Sequence, residues 1–213
     1  MRARRFDDYA RDFMDHHRDG VIVNLGCGFD TRFHRIDDGN LKLLDIDRTD
    51  VIRVKRQLLS DSTRYRFIEA SVLDEDWMEG LPSTGTRVLF LAEGLFMYLP
   101  FEGVRSLVLR LQKRCPGSQL IAEVFNTRWL RPWIKWFINL KLRKQFCFGK
   151  DATFISGLRE STEMERWSDG IKFIDEWCAL DEREPKLGVM RILRYLQIFR
   201  RVQWIVHYRL CRV

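Results

Sequence analysis

The stretch that most constrains this chain is residues 21–35, VIVNLGCGFDTRFHR. Val21, Ile22, Val23 and Leu25 form a short apolar, β-branched run, the pattern of a strand buried on both faces. Gly26 and Gly28 follow at once, and the chain then runs into Asp30, Thr31, Arg32 and Phe33. A strand that ends in Gly-x-Gly lets the backbone approach a nucleotide-like ligand closely, because glycine turns without placing a side chain in the way. The dinucleotide fingerprint would place a third glycine at position 31, where this chain has Thr31. Taken alone, the loop fits either a ligand-binding turn or an ordinary tight strand-to-helix connection.

The neighbouring segments read as an alternating α/β chain. Phe6, Tyr9, Ala10, Phe13 and Met14 fall at helical spacing within residues 4–18, with Asp19-Gly20 as the stop. A second strand spans 41–46 and closes on Asp45-Ile46-Asp47. Gly26 and Asp47 are 21 positions apart, and an acid about 20 residues past the glycines can accept hydrogen bonds from a ribose diol. Asp47 suits that role or the capping of a helix near Thr49-Asp50, while Asp45 is expected on the other side of the strand. A helix is expected at 52–59, strands at 65–70 and 87–92, a helix at 101–114 and a strand at 119–125. Residues 158–169 read as a polar helix or loop. Residues 171–180 and 202–212 read as closing strands, with a basic amphipathic helix at 189–201 between them. No repeat, linker or second domain is evident.

Four phrases in order carry a more specific signal: NLGCGFDTRFHR at 24–35, LLDIDRTDVIRVKRQLL at 43–59, ASVLDEDW at 70–77 and AEGLFMYLP at 92–100. Together they resemble the class I S-adenosylmethionine-dependent methyltransferases of the leucine carboxyl methyltransferase/TcmP-like group, from about Arg2 to Glu123. The resemblance implies a three-layer, Rossmann-like α/β fold, with a mostly parallel seven-stranded sheet, an antiparallel last strand and helices on both faces. It implies one methyltransferase domain over 1–213, with an N-terminal helical region (1–20) shorter than the family's and a helical insertion at 127–170 over the substrate pocket. It implies S-adenosyl-L-methionine as cofactor. Gly26 and Gly28 would lie beside it and Asp47 would hold the ribose. Ser71, Val72 and Asp74 would meet the adenine, with Asp74 equally suited to cap a helix at 75–77. Glu93 matches the glutamate beside the methionine part, where a carboxylate suits an α-ammonium. Arg2 matches an arginine that reaches the cofactor carboxylate, although a solvated basic terminus fits it as well. The resemblance further implies O-methyl transfer to a carboxylate or hydroxyl of a small, polyketide-like molecule. The alternatives are a protein C-terminal carboxylate as acceptor, or a shortened cofactor-binding relative without catalysis.

Composition excludes several other classes. The 213 residues suit a single core, no apolar run approaches the roughly 18 residues of a membrane span, and the N-terminus has no signal-peptide core. Cysteines 27, 115, 147, 178 and 211 are odd in number and scattered, which suits a reducing, cytoplasmic compartment and no metal site. A net charge of +7 permits an anionic partner without requiring one. Residues 127–148 mix tryptophans with Lys and Arg and carry no acid. That stretch fits a pocket cover or core packing, a partner or dimer surface, or, least well, contact with a membrane surface or nucleic acid. No nucleic-acid partner is expected. Glu93-Gly94 stands where amine methylation of nucleic-acid bases uses Asn/Asp-Pro-Pro-Tyr/Phe, and none of His16, His17, His34 and His207 sits in a base constellation. No catalytic base is assigned.

Overall fold

A computed structural model describes residues 1–82, 85–130, 153–182 and 200–213. Seven strands form one sheet in the order β3-β2-β1-β4-β5-β7-β6. They are β1 (Val21–Leu25), β2 (Lys42–Asp47), β3 (Tyr65–Glu69), β4 (Val88–Ala92), β5 (Ser118–Phe125), β6 (Ile171–Cys178) and β7 (Gln203–Leu210). β1 pairs in parallel with both β2 and β4, β2 with β3, and β4 with β5. β7 enters between β5 and β6 and runs antiparallel to both. The sheet is therefore mostly parallel with an antiparallel last strand, as the sequence led one to expect.

Strand alternation divides this sheet between two cores. In β4, Val88, Phe90 and Ala92 pack on one face and Leu89 and Leu91 on the other, and all five are buried. The first face is covered by α4 (Phe101–Arg114), through Val104, Leu107, Val108 and Leu111, and by the 3-10 turn Asp76–Gly80, through Trp77 and Met78. The second is covered by α1 (Arg2–His16), α2 (Arg32–Ile36) and α3 (Thr49–Leu58). Phe6, Ala10 and Phe13 are the buried apolar stripe of α1, and their i, i+4, i+7 spacing is why the segment is helical. Burying each of the Phe6 and Phe13 side chains contributes about 1.5–3 kcal/mol.

A polar knot lies inside the second core. The Lys55 ammonium of α3 is 2.6 Å from Asp45 Oδ2, and both residues are 0–1 % exposed. The Tyr65 hydroxyl donates to Asp45 Oδ2 at 2.7 Å and the Asn24 amide to Oδ1 at 3.1 Å. Asp45 and Asp47 are two positions apart and share one face of β2, so Asp45 does not lie on the other side of the strand. It is buried because Lys55 and Tyr65 cover it, whereas Asp47 stands half-exposed at the strand's end.

Two expectations fall wholly or partly outside the described residues: most of the basic aromatic stretch 127–148, and the helix at 189–201. Within 127–170, the described parts are the 3-10 turn Thr127–Leu130, irregular chain at 153–162 and the 3-10 turn Glu163–Trp167 with the residues up to 170. That chain is fastened to the end of the sheet by Ile155 N–H to the Met97 carbonyl and Leu158 N–H to the Phe125 carbonyl.

Lys55→Met is expected to lower unfolding free energy by about 3–5 kcal/mol, because it leaves the Asp45 carboxylate buried without a counter-charge. Urea denaturation measures this, and adding Asp45→Leu to the same chain should restore much of the loss.

Candidate functional site

The strand order reverses between β1 and β4, since β2 and β3 lie to one side of that pair and β5 to the other. At such a switch point the loops leaving adjacent strand ends diverge, which opens a crevice at the carboxyl ends. The loops after β1, β2, β3 and β4 carry most of the residues singled out from the sequence.

After β1, Gly26 has φ +63° and Gly28 φ +51°, both in the left-handed region. A Cβ at Gly26 would lie 2.7 Å from Leu95 Cδ1, so the loop after β4 packs directly on the glycine. A Cβ at Gly28 would meet nothing within 4 Å, which leaves open space beside the backbone there. Asp47, at the end of β2, is joined to this loop: the Gly28 N–H donates to Asp47 Oδ2 at 2.7 Å, and the Arg48 N–H donates to Oδ1 at 2.8 Å. The carboxylate thus stands half-exposed beside the glycines. The next loop is adjacent, since the Ala70 N–H donates to the Asp47 carbonyl at 3.0 Å. There Val72 is buried and Ser71 half-buried, and the Ser71 hydroxyl accepts from the Leu73 N–H. Asp74 is exposed, and it does not cap the following 3-10 turn, whose capping position is Glu75.

On the other side of the switch point stands Glu93, with both oxygens engaged. Arg2 Nε lies 2.9 Å from Oε1 and Arg32 Nη2 lies 2.7 Å from Oε2. Arg32 is 1 % exposed and also contacts Asp7 Oδ1 at 2.9 Å and Asp30 Oδ2 at 2.8 Å. Arg35 closes the cluster from outside, at 2.8 Å from Asp7 and 2.9 Å from Asp30. Burial alone would raise the Asp7 pKa, but Arg35 and Arg32 outweigh it and hold the carboxyl below its usual value.

Arg2 spans from Glu93 to a second acid, Glu123 on β5, at 3.2 Å. Glu123 is 3 % exposed and also accepts from the Gln203 amide at 2.6 Å. Burial pushes its pKa up, and Arg2 and Gln203 only partly counter this. The structure therefore brings Arg2 and Glu93 into contact and sets Gly26, Gly28 and Asp47 one loop away, with Ser71 and Val72 beyond Asp47.

Sequence reasoning did not single out Asp7, Asp30, Arg32 or Glu123. The signal for Glu123 was a lone acid in the apolar run LIAEVF. Asp7 carried none, because on a surface helix it reads as one of several solvated charges. The histidines lie elsewhere: the His34 ring packs at 5.5 Å from Phe33 and 5.7 Å from Tyr65. His207 pairs with Gln119 at 2.7 Å, and burial lowers its pKa to about 4.

Residues 1–112 match the family model described as leucine carboxyl methyltransferase. The chain belongs to the leucine carboxyl methyltransferase family. Its matched region ends within α4, so it contains all the crevice loops except the Glu123 end of β5. Over 182 residues the chain is 29% identical to the tetracenomycin polyketide synthesis O-methyltransferase TcmP of Streptomyces glaucescens, covering 85% of this chain and 64% of that protein. Over 132 residues it is 32% identical to the S-adenosyl-L-methionine-dependent methyltransferase dpfgK of Gibberella zeae, covering 58% of this chain and 44% of that protein. The chain thus spans less than two thirds of the length of either relative. In fold it is similar to the N-methyltransferase NodS of Bradyrhizobium japonicum, whose crystal structure holds S-adenosyl-L-homocysteine. That match has a TM-score of 0.58 at 12% identity over 97% of this chain and 86% of NodS. The seven-stranded architecture is that of the class I methyltransferases.

Two outcomes follow for this leucine carboxyl methyltransferase relative. Arg32→Met is expected to cost about 3–5 kcal/mol of unfolding free energy, since three carboxylates then face one another without their shared cation; calorimetry checks it. Because its folded pKa is raised, Glu123 contributes stability that is present at low pH and lost as pH rises through that value. Glu123→Gln should therefore raise the melting temperature at neutral pH, with a gain that fades as pH falls toward about 4.3. Melting curves across that range read it.

Proposed function

We propose that this chain is an S-adenosylmethionine-dependent O-methyltransferase acting on a carboxylate or hydroxyl of a small, polyketide-like molecule in a reducing, cytoplasmic compartment. The observation that carries the reading is the gathering of Gly26, Asp47 and Glu93 around one switch point in a chain of this family. The dpfgK and TcmP relatives support the cofactor and the oxygen acceptor, and free cysteines at 27, 115, 178 and 211 support the compartment.

The residues present fit the cofactor. A carboxylate offers about four acceptor positions, and Asp47 uses one on each oxygen for a backbone N–H, so acceptor capacity remains for a ribose diol. The open space over Gly28 suits a sugar and thioether lying on bare backbone. Val72 would form part of an apolar wall for adenine, with Ser71 and Asp74 at its polar edge. The Arg2–Glu93 pair has the charges that a zwitterionic amino-acid tail needs, carboxylate to Arg2 and ammonium to Glu93, so the tail would enter by replacing that contact. Arg32, fixed by Asp7 and Asp30, would keep Glu93 in place during the exchange.

When bound, S-adenosylmethionine supplies a methyl group made electrophilic by its sulfonium. The chain's own work is then to align the acceptor oxygen and to keep water away. A carboxylate acceptor is already ionised at neutral pH, which agrees with histidines that lie outside the crevice among the described residues. The family description itself favours one second reading, a protein C-terminal carboxylate as acceptor. Mass-spectrometric mapping of the methylated product separates the two.

Isothermal titration with S-adenosylhomocysteine tests the core of the proposal. Wild-type chain is expected to bind one equivalent, and Asp47→Ala to weaken binding about 10- to 100-fold through loss of its charge-assisted hydrogen bonds. Gly26→Val should abolish it, because the new Cβ would sit 2.7 Å from Leu95. No binding by the wild type, or binding indifferent to both changes, sinks the assignment. Binding without turnover on any carboxylate or hydroxyl acceptor points to a cofactor-binding relative that does not catalyse.

A further inference from the structure

A second cationic feature lies at the other end of the sheet. Arg87 immediately precedes β4 and Gly117 immediately precedes β5, so both belong to the end opposite the crevice. An open cavity of about 510 Å³ there is lined by His17, Arg87, Gly117, Gln119, Arg209 and Arg212, among others. Among the described residues, no carboxylate lines it.

The placement follows from strand alternation. Leu89 and Leu91 of β4, Ile121 of β5 and Ile205 of β7 face the α1 side of the sheet, so Arg87, Gln119 and Arg209 face that side too. Gln119 and Arg209 are direct neighbours in the β5–β7 ladder. α1 ends at His16, and the turn after it brings His17 to the same cavity. Arg87 reaches over Gly117, where a Cβ would come within 3.0 Å of its Nη1.

The side chains of Arg87, Arg209 and Arg212 make no ion pair with any described residue, whereas Arg32, Arg35 and Arg64 at other sites are each paired with aspartates. Arg209 also stands directly across the β6–β7 ladder from Lys172. Like charges opposite each other weaken strand pairing, so the cluster carries a cost with no counter-ion among the described residues. The His17 ring registers the same field: its pKa is lowered by burial first, then by Arg87, His16 and Arg209.

We propose that this cavity binds the diphosphate group of a small molecule, gripped by the guanidinium groups of Arg87, Arg209 and Arg212. Each guanidinium presents a planar fork that matches two phosphoryl oxygens. One phosphate monoester carries about 1.5–2 negative charges at neutral pH, fewer than three arginines supply, and a diphosphate comes closer to balance. The cavity also falls in the range of about 300–1,000 Å³ usual for small-molecule sites, which leaves room for the group esterified to the diphosphate. This site is separate from the methyl-transfer crevice and does not depend on that reading.

Titration calorimetry on the full chain with inorganic pyrophosphate, ADP and inorganic phosphate at constant ionic strength tests it. Pyrophosphate and ADP should bind, with inorganic phosphate weaker. Arg87→Gln and Arg209→Gln should each weaken pyrophosphate binding about tenfold, the loss of one charge-assisted contact. S-adenosylhomocysteine binding should be unchanged in both variants. No pyrophosphate binding by the wild type, or binding by both variants as tight as by the wild type, overturns the proposal. Pyrophosphate binding without S-adenosylhomocysteine binding would sustain this site and remove the methyltransferase reading instead.

Discussion

The Arg32 guanidinium, almost wholly out of water, is the constraint on which the geometry of the crevice depends. It joins Asp7 of α1, Asp30 of the glycine loop and Glu93 after β4, three segments far apart in the chain. A buried ion pair seldom adds net stability over an apolar replacement, because desolvation offsets the attraction. What it does supply is position. A cation with donors in a rigid fork allows few arrangements of three carboxylates, so α1 and two loops are held in one relation to the strand ends.

That relation shapes the electrostatics around Glu93. Asp7, Asp30, Glu93 and Glu123 are set against Arg2, Arg32 and Arg35, four acids to three bases. The excess falls on Glu123, whose pKa is pushed up by burial, next to an Arg2 that is half exposed and reachable from solvent. Arg32 is locked and Arg2 is accessible, so the two cations on Glu93 differ in kind. One fixes the carboxylate, and the other, under the proposed function, would give way to a ligand's ammonium. The cluster at Arg87 and Arg209 differs from both, for among the described residues its guanidinium groups have no acid paired with them. The two ends of one sheet thus present opposite chemistry.

Much of the fold was legible because its signals are local. β1 has the expected bounds, Val21–Leu25, since a five-residue apolar run flanked by glycine has few other conformations open to it. α4 likewise spans Phe101–Arg114, where apolar residues recur at helical spacing. α1 starts at Arg2, earlier than the apolar stripe suggested, because its first turn is held by contacts with Glu93 and Glu123, which no local pattern announces. Asp47 was legible from its distance to Gly26, and its bond to the Gly28 N–H accounts for that spacing. Asp74 was left between adenine contact and helix cap, and the second role falls away because the turn begins one residue later.

The sequence by itself determined the order of strands and helices, the position of the glycine turn and the family. Each depends on residues close together in the chain or on motifs read in order. Only the tertiary structure decided that Asp7, Asp30, Arg32, Glu93, Arg2 and Glu123 form one connected set, and that Arg87, Arg209 and Arg212 share a cavity. The physical reason is that charge pairing acts through space. Within the connected set the partners lie up to 121 residues apart, and which of many acids meets which arginine is settled only once the sheet has packed.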